Sequence, residues 1–283
     1  MSVVRTKHDL WDPVRRWREA GQRIALVPTM GALHDGHLSL TDLARRHADR
    51  VVVSIFVNPT QFGPNEDLDN YPRDEAQDLR RLADRGADLA YLPTVGEIYP
   101  EGFATHVGVA GVTSGLCGDH RPGHFQGVAT VVTKLLNQCA PDIAVFGEKD
   151  YQQLIVIKQL VRDLDMPVTI LGAPIVRDDD GLALSSRNAY LSARERLVAA
   201  RLNRVLDRVA RRIERGGAVR DEIEKGLTEL TKAGVEKIDY LEIRDAENLS
   251  TVSAVKRKAR ILAAVRIGQT RLIDNMEIIP AQY

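Results

Sequence analysis

Cysteine is scarce. Cys117 and Cys139 are the only two in 283 residues, and they form no CxxC pair, so neither a disulfide framework nor a cysteine zinc site is expected. Aromatic residues make up 5%, too few for a base-stacking platform. Neither charge is in excess. Lys+Arg and Asp+Glu both number 39, which removes the global field that nucleic-acid or anionic-membrane binding draws on. No apolar run approaches a membrane span, and the first residues, MSVVRTKHDLWDPVRRW, carry charge too early for a signal peptide. No internal repeat or low-complexity stretch occurs. What remains is the composition of a globular protein, 44% hydrophobic and 28% charged. It is long enough for two domains or one large one, and a cytoplasmic location is expected.

Two regimes divide the chain. Up to about residue 175, short β-branched runs alternate with amphipathic segments. RIALVP, VVVSIFVNP, ADLAYLP, DIAVFG and VTILGAPIV read as strands. Between them, PRDEAQDLRRLADRG puts Ala76, Leu79 and Ala83 on one helical face with Gly86 as the stop. FQGVATVVTKLLNQC and DYQQLIVIKQLVRDL read as helices. Near-continuous apolar strands separated by helices imply a parallel sheet covered on both faces, a Rossmann-like doubly wound α/β domain over residues 1–175. Beyond it, SARERLVAARLNRVLDRVARRIERGG reads as one long helix with Leu202, Val205, Leu206, Val209 and Ile213 on its core stripe. A second helix follows over about 219–233, then KIDYLEIRD and ARILAAVRIGQTRLIDNMEI, with IGQT as a hairpin turn. Residues 176–283 are therefore expected to form a smaller α+β domain.

The first strand-to-helix crossing carries the sharpest signal: RIALVPTMGALHDGHLSL, residues 23–40. In an open parallel sheet, ligands bind beyond the carboxyl ends of the strands, where helix N-termini offer free N–H groups and a positive dipole to anions. Gly31 and Gly36 would let phosphate oxygens approach the backbone, and His34 and His37 supply donors, with charge when protonated. Neither a Walker loop nor a GxGxxG fingerprint stands at this crossing. At a second crossing, GEKDYQQL, Lys149 is a point charge aimed at phosphates, Asp150 sits near a helix N-terminus, and Gln153 lies one turn further on the same face. LSSRN, residues 184–188, offers two hydroxyls and a guanidinium on a loop. FGPNEDLDNYPRD is rich in turn formers, with Pro64, Asn65 and Pro72. GDHRPGHF brings His120, Arg121 and His124 together before a helix; for these, a structural or pocket-rim role outweighs a metal site, because no further ligands stand at suitable spacing.

PTMGALHDGHLSL resembles the signature of the pantothenate synthetases, ATP-dependent ligases joining pantoate to β-alanine, within the HxGH nucleotidyltransferase superfamily. VNPTQFGPNEDLDNYPRD, RPGHFQGVATVVTKLLNQCAPDIAVFGEKDYQQL, DGLALSSRNAYLS and RLIDNM continue the likeness over nearly the whole chain. One departure is Asp178 in VRDDDGLA, where the family pattern carries glutamate. The resemblance implies a two-step reaction. Pantoate's carboxylate attacks the α-phosphorus of ATP to give pantoyl adenylate and pyrophosphate, and β-alanine's amine then displaces AMP. It implies His34, His37, Lys149, Ser186 and Arg187 as the catalytic set. Met30, Gly31, Gly36, Gly147, Glu148, Asp150, Val176, Leu184 and Ser185 would join them around ATP. Gln61 and Gln153 would hold pantoate and β-alanine, and Tyr71 would belong to a mobile wall over the site. Mg²⁺ is expected with ATP, held by phosphate oxygens rather than by a protein metal site. A homodimer is expected, as is closure of the second domain over ATP. Two other classes stay in view: transfer of AMP or CMP to a phosphate-bearing acceptor, and a non-catalytic nucleotide-binding module. The neutral pair Gln61 and Gln153 speaks against the first, and the joint presence of His34, His37, Lys149 and Arg187 against the second.

Overall fold

The computed structural model describes residues 1–64 and 66–280; Asn65, one of the turn formers named above, lies outside them. In chain order the first part runs β1 (Ser2–Val4), α1 (Lys7–Glu19), β2 (Ile24–Thr29), α2 (Asp35–His47), β3 (Arg50–Ile55), α3 (Glu75–Asp84), β4 (Leu89–Tyr91), α4 (Val95–Ile98), α5 (Cys117–His120), α6 (His124–Cys139), β5 (Ile143–Gly147), α7 (Tyr151–Asp163) and β6 (Thr169–Ala173). Its six strands form a parallel sheet in the order β1-β4-β3-β2-β5-β6. β1 and α1 lie in the charged N-terminal stretch, for which no element is expected from the strand and helix patterns above.

Alternation along β2 explains why both faces are covered. Ile24 and Leu26 pack on the side of α1, α6 and α7, whereas Ala25 and Val27 pack on the side of α2 and α3. A strand apolar at every position has no solvent face, so helices must cover both sides. The order reverses between β2 and β5, the switch point at which open α/β sheets bind ligands. There the ladder is short: only Ala25–Ile143 and Leu26–Ala144 pair. Thr29 C=O accepts from Phe56 N–H on the β3 side, so Pro28, one residue earlier, faces β5. Its missing N–H removes no ladder bond there, and the two strands part into a cleft.

The second part holds α8 (Ala193–Ala199), α9 (Arg201–Glu214), α10 (Val219–Lys232) and the antiparallel strands β7 (Lys237–Asp245), β8 (Ala259–Ile267) and β9 (Thr270–Ile278). The expected stripe of α9 is buried throughout, against Ile261, Ala263 and Val265 of β8. The other face of β8, Leu262 and Ala264, meets Phe125, Ile155 and Val156 of the first part. Gly268 and Gln269 make the two-residue hairpin, with Gly268 at φ +55°. The long helix expected over 192–217 is instead two, α8 and α9, joined at Ala200, which keeps a right-handed conformation with ψ of −16°. Among the described residues no helix is long and apolar enough to cross a membrane.

The stripe expected for α3 is not the buried one. Ala76 and Ala83 are exposed and Leu79 half-buried; the buried face carries Asp78 and Leu82. Asp78 is drawn inward by backbone donors, accepting from Ala32 N–H at 2.9 Å and Leu33 N–H at 2.7 Å. Arg81 adds a bond to Leu33 C=O at 2.7 Å. These bonds hold the β2–α2 turn, where Gly31 (φ +82°) and Ala32 (φ +49°) are both left-handed. For alanine that conformation is unfavourable by roughly 1–2 kcal/mol, so it persists only because its surroundings over-determine it. Replacing Asp78 by alanine strands two buried donors and is expected to cost about 2–4 kcal/mol. Asp78→Asn, which keeps one acceptor oxygen, should cost about half of that. Denaturant unfolding of the two variants measures both, and equal midpoints for Asp78→Ala and wild type would remove Asp78 from this role.

Candidate active site

The cleft between β2 and β5 opens into two adjoining cavities, of about 220 and 700 Å³, which share Lys149, Asp150, Gln153 and Arg187 among their walls. The smaller gathers Met30, His34, Gly36, His37, Gln61, Gly147, Val176, Leu184, Ser185 and Ser186 as well. Two expected members stand apart. Glu148 turns away to Arg260, 3.1 Å from it. Gly31 faces inward, where a side chain would meet Asp78 and Ile55 within 3.1 Å. Gly36 is likewise required by its own neighbours: a β-carbon there would come within 2.8–2.9 Å of the His34 ring. Both glycines thus serve protein packing at the turn, beyond the phosphate approach expected of them.

α2 begins at His34, its N-cap, and the first turn leaves N–H groups without intrahelical partners. His37 follows one turn on, the ring centroids 4.1 Å apart. His34 N–H donates to His37 Nδ1 at 3.4 Å, which leaves the proton of a neutral His37 on Nε2. Burial lowers the His34 pKa to about 4, with Lys149 adding to the effect. Burial, then His34, then Lys149 drive His37 well below the ordinary imidazole value. Charge on these rings, expected from the sequence as an option near neutrality, is suppressed here: they are neutral donors. Desolvation also lowers Lys149, yet its ammonium makes no ion pair among the described residues. Its backbone is fixed from the second part of the chain, where Asn275 of β9 donates to the carbonyls of Glu148 and Lys149, both at 2.9 Å. Arg260 donates to the Asn275 side-chain amide oxygen, Oδ1, at 2.6 Å.

Gln61 ends a 3₁₀ turn over Pro59–Gln61. Buried Asn58 donates to its Oε1 at 3.1 Å and to Gly127 C=O at 3.2 Å, and the Gln61 NH₂ donates to Met30 Sδ at 3.1 Å at the wall of the smaller cavity. Gly127 is required because a β-carbon there would collide with the Thr60 carbonyl. Gln153 shares the same cavity with no side-chain partner among the described residues, and Phe56, Val128, Val131, Val132, Leu135 and Phe146 give it an apolar wall.

LSSRN runs from a loop into a 3₁₀ turn, Ser186–Tyr190, with Ser185 Oγ accepting from Arg187 N–H. Ser186 Oγ donates to Ala32 C=O at 3.2 Å. Arg187 grips Asp67 in a two-pronged pair at 2.7 and 2.9 Å. Tyr71 is buried against Phe62, edge-on at 5.9 Å, and lines the smaller cavity with Arg187 over its ring. The sequence motifs do not single out Asn58, Asp67, Asp78 or Asn275. Asn58 carries a signal, an Asx residue before a Pro-initiated turn; the other three look like ordinary polar residues.

The family model for pantoate–β-alanine ligase matches residues 2–277. A pantothenate synthetase of Paramagnetospirillum magneticum is 54% identical over 278 residues, 98% of each chain. One from Rhodospirillum rubrum is 55% identical over 279 residues, 98% of this chain and 99% of that one. Among solved structures, pantothenate synthetase from Thermus thermophilus superposes with TM-score 0.94 at 47% identity, covering 99% of this chain and 100% of that one. The pantoate–β-alanine ligase of Francisella tularensis, complexed with β,γ-ATP and β-alanine, gives 0.83 at 35% identity, with 98% and 97% coverage.

His34 and His124 both have values lowered to about 4 from 6.5. The unfolded chain therefore takes up these protons first, and the stability the neutral rings confer is present above about pH 6.5 and lost as pH falls toward 4. The denaturant midpoint should drop between pH 7 and pH 5 by more in wild type than in a His34→Asn/His124→Asn variant. Parallel drops would mean that the rings are not buried neutral.

Proposed function

The chain belongs to the pantoate–β-alanine ligase family, and we propose that it joins pantoate to β-alanine by activating pantoate as an adenylate in the switch-point cleft. The observation that carries this reading is the convergence of an unpaired lysine, two neutral imidazoles and two amides on one cavity. A phosphate-bearing acceptor would call for several free cations at the acceptor end; there Arg121 is already paired with Glu66, and the amides and apolar wall suit pantoate instead. Its two methyl groups match the valine and phenylalanine side chains of that wall. The Gln61 NH₂ and Gln153 can orient the hydroxyls and carboxylate without trapping the carboxylate in an ion pair.

ATP binds with its phosphates toward the α2 N-terminus and Lys149. A pantoate carboxylate oxygen attacks the α-phosphorus, the bond to the bridging oxygen of the β-phosphate breaks, and pyrophosphate leaves. The protein supplies position and charge stabilisation for this step. His37 Nε2–H and His34 donate toward phosphate oxygens, and Lys149 adds charge. Ser186 and Arg187 complete the set by exchanging Ala32 C=O and Asp67 for phosphate. The free-base amine of β-alanine then attacks the acyl carbon and expels AMP. Among the described residues no three carboxylate, imidazole or thiol groups converge on a metal position. Mg²⁺ on this reading would come with the nucleotide, held by phosphate oxygens whose charge it would neutralise; Asp150, which lines both cavities, is a carboxylate that could assist. The division at residues 175/176, movement of the second part over ATP, a cytoplasmic setting and a homodimer belong to the same proposal. The exposed edge of β1, with Val3 on it, is available to a second copy.

His37→Ala is expected to bind ATP normally yet release pyrophosphate with pantoate roughly 10²–10³-fold more slowly, the loss usual for one transition-state donor. The assay uses ATP, Mg²⁺ and pantoate, with and without β-alanine, following pyrophosphate and AMP. Near-normal release by the variant would take His37 out of the mechanism, and wild-type release insensitive to pantoate would point to another acceptor.

A further inference from the structure

His124 and Arg121, which the reaction leaves unused, belong to one hydrogen-bonded chain. His124 is buried on α6, one turn before Gly127. Its Nδ1 lies 2.9 Å from the Gln61 carbonyl and its Nε2 3.0 Å from Arg121 Nη1. Only one neutral tautomer satisfies both contacts, because a guanidinium only donates and a carbonyl only accepts. Nδ1–H therefore donates to Gln61, and Nε2 accepts from Arg121. Burial and the adjacent guanidinium lower this imidazole to about 4, so the tautomer holds throughout the neutral range. Arg121 also reaches Gln61 C=O at 3.4 Å and closes a two-pronged pair with Glu66 at 2.6 and 2.7 Å. Glu66 lies one residue before Asp67, the partner of Arg187, on the loop that walls the larger cavity.

We propose that His124 and Arg121 are positioning residues: they fix the Gln61 carbonyl, and through Glu66 they tie the pantoate-binding amide to the loop walling the cleft. The turn is thereby held from two sides. Asn58 orients the Gln61 side chain, while His124 and Arg121 orient its backbone. Both residues also border the two cavities, but their polar atoms are spent on Gln61, Glu66 and each other, so on this assignment they act on pantoate through Gln61. The proposal rests on the reading that Gln61 holds pantoate.

Four variants of the full chain test it, with steady-state constants for all three substrates and a melting temperature for each; Gln61→Ala serves as their reference. His124→Leu, which fills the space without donor or acceptor, should raise the pantoate KM about tenfold, as for one lost hydrogen bond, with the ATP KM within twofold of wild type. His124→Asn, whose amide N–H can stand where Nδ1–H stood, should bring it back to within about threefold. Glu66→Gln, a milder change at the far end of the chain, should raise it about threefold. Gln61→Ala/His124→Leu should be no worse for pantoate than Gln61→Ala alone, since the two act through one group; a purely structural role would make the losses add. Unchanged pantoate KM in both His124→Leu and Glu66→Gln overturns the proposal, as does an equal rise for ATP that His124→Asn does not restore. If Gln61→Ala raises the pantoate KM while those two leave it unchanged, the positioning role alone falls. If Gln61→Ala also leaves it unchanged, the pantoate reading falls and takes this inference with it.

Discussion

The site hangs on a carboxylate that touches no ligand position. Asp78 reaches from α3 beneath the β2–α2 turn and takes the N–H groups of Ala32 and Leu33. Two consecutive left-handed residues do not hold their shape unaided, least of all when one is alanine. With the turn pinned, α2 starts at His34, the His34 ring lies against Gly36, and His37 comes to the cleft. Ser186 ties the distant LSSRN segment to the same turn through Ala32 C=O. A few short bonds thus tie the first strand–helix crossing to α3 and to the chain beyond residue 175.

Groups around the cleft fall into those already held and those left free. Asn58, Asn275, Arg260 and His124 spend their hydrogen bonds on the protein and so fix Gln61 and the Lys149 backbone. The Lys149 ammonium and the Gln153 amide have no protein partner among the described residues. That is the arrangement preorganisation requires, with rigid supports behind and unsatisfied donors in front. Arg187 differs: it is held by Asp67 in a geometry that a phosphate could imitate, so its engagement requires that carboxylate to be released.

Charge is sparing at the HxGH turn. Burial keeps both HxGH imidazoles neutral and lowers Lys149, so three cations are not forced together before an anion arrives. On the proposed reading an incoming triphosphate would reverse that balance, since negative charge favours the protonated forms. Donors held neutral at the α2 N-terminus still present N–H groups without having to discharge first.

Much of this is legible in the residues alone. Apolar strands alternating with amphipathic helices specify a doubly wound sheet, because a strand apolar at every position can only be buried on both faces. The stripe of α9 and the Gly268–Gln269 hairpin are readable because helical period and positive φ leave marks in residue type. The motifs also mark His34, His37, Lys149, Gln61, Gln153 and Arg187 as one group. Other features have no local mark. Asp78 looks like a solvated helix residue, and Ala76, Leu79 and Ala83 like the better stripe, until backbone donors at Ala32 and Leu33, far back in the chain, draw the carboxylate inward. The Asn275 clamp on Lys149, the Asp67 grip on Arg187 and the burial that silences the histidines all depend on segments distant in the chain. Local sequence sets period, turn and charge; which polar group meets which buried partner, and whether a titratable ring is wet or dry, is decided only when the chain has closed around it.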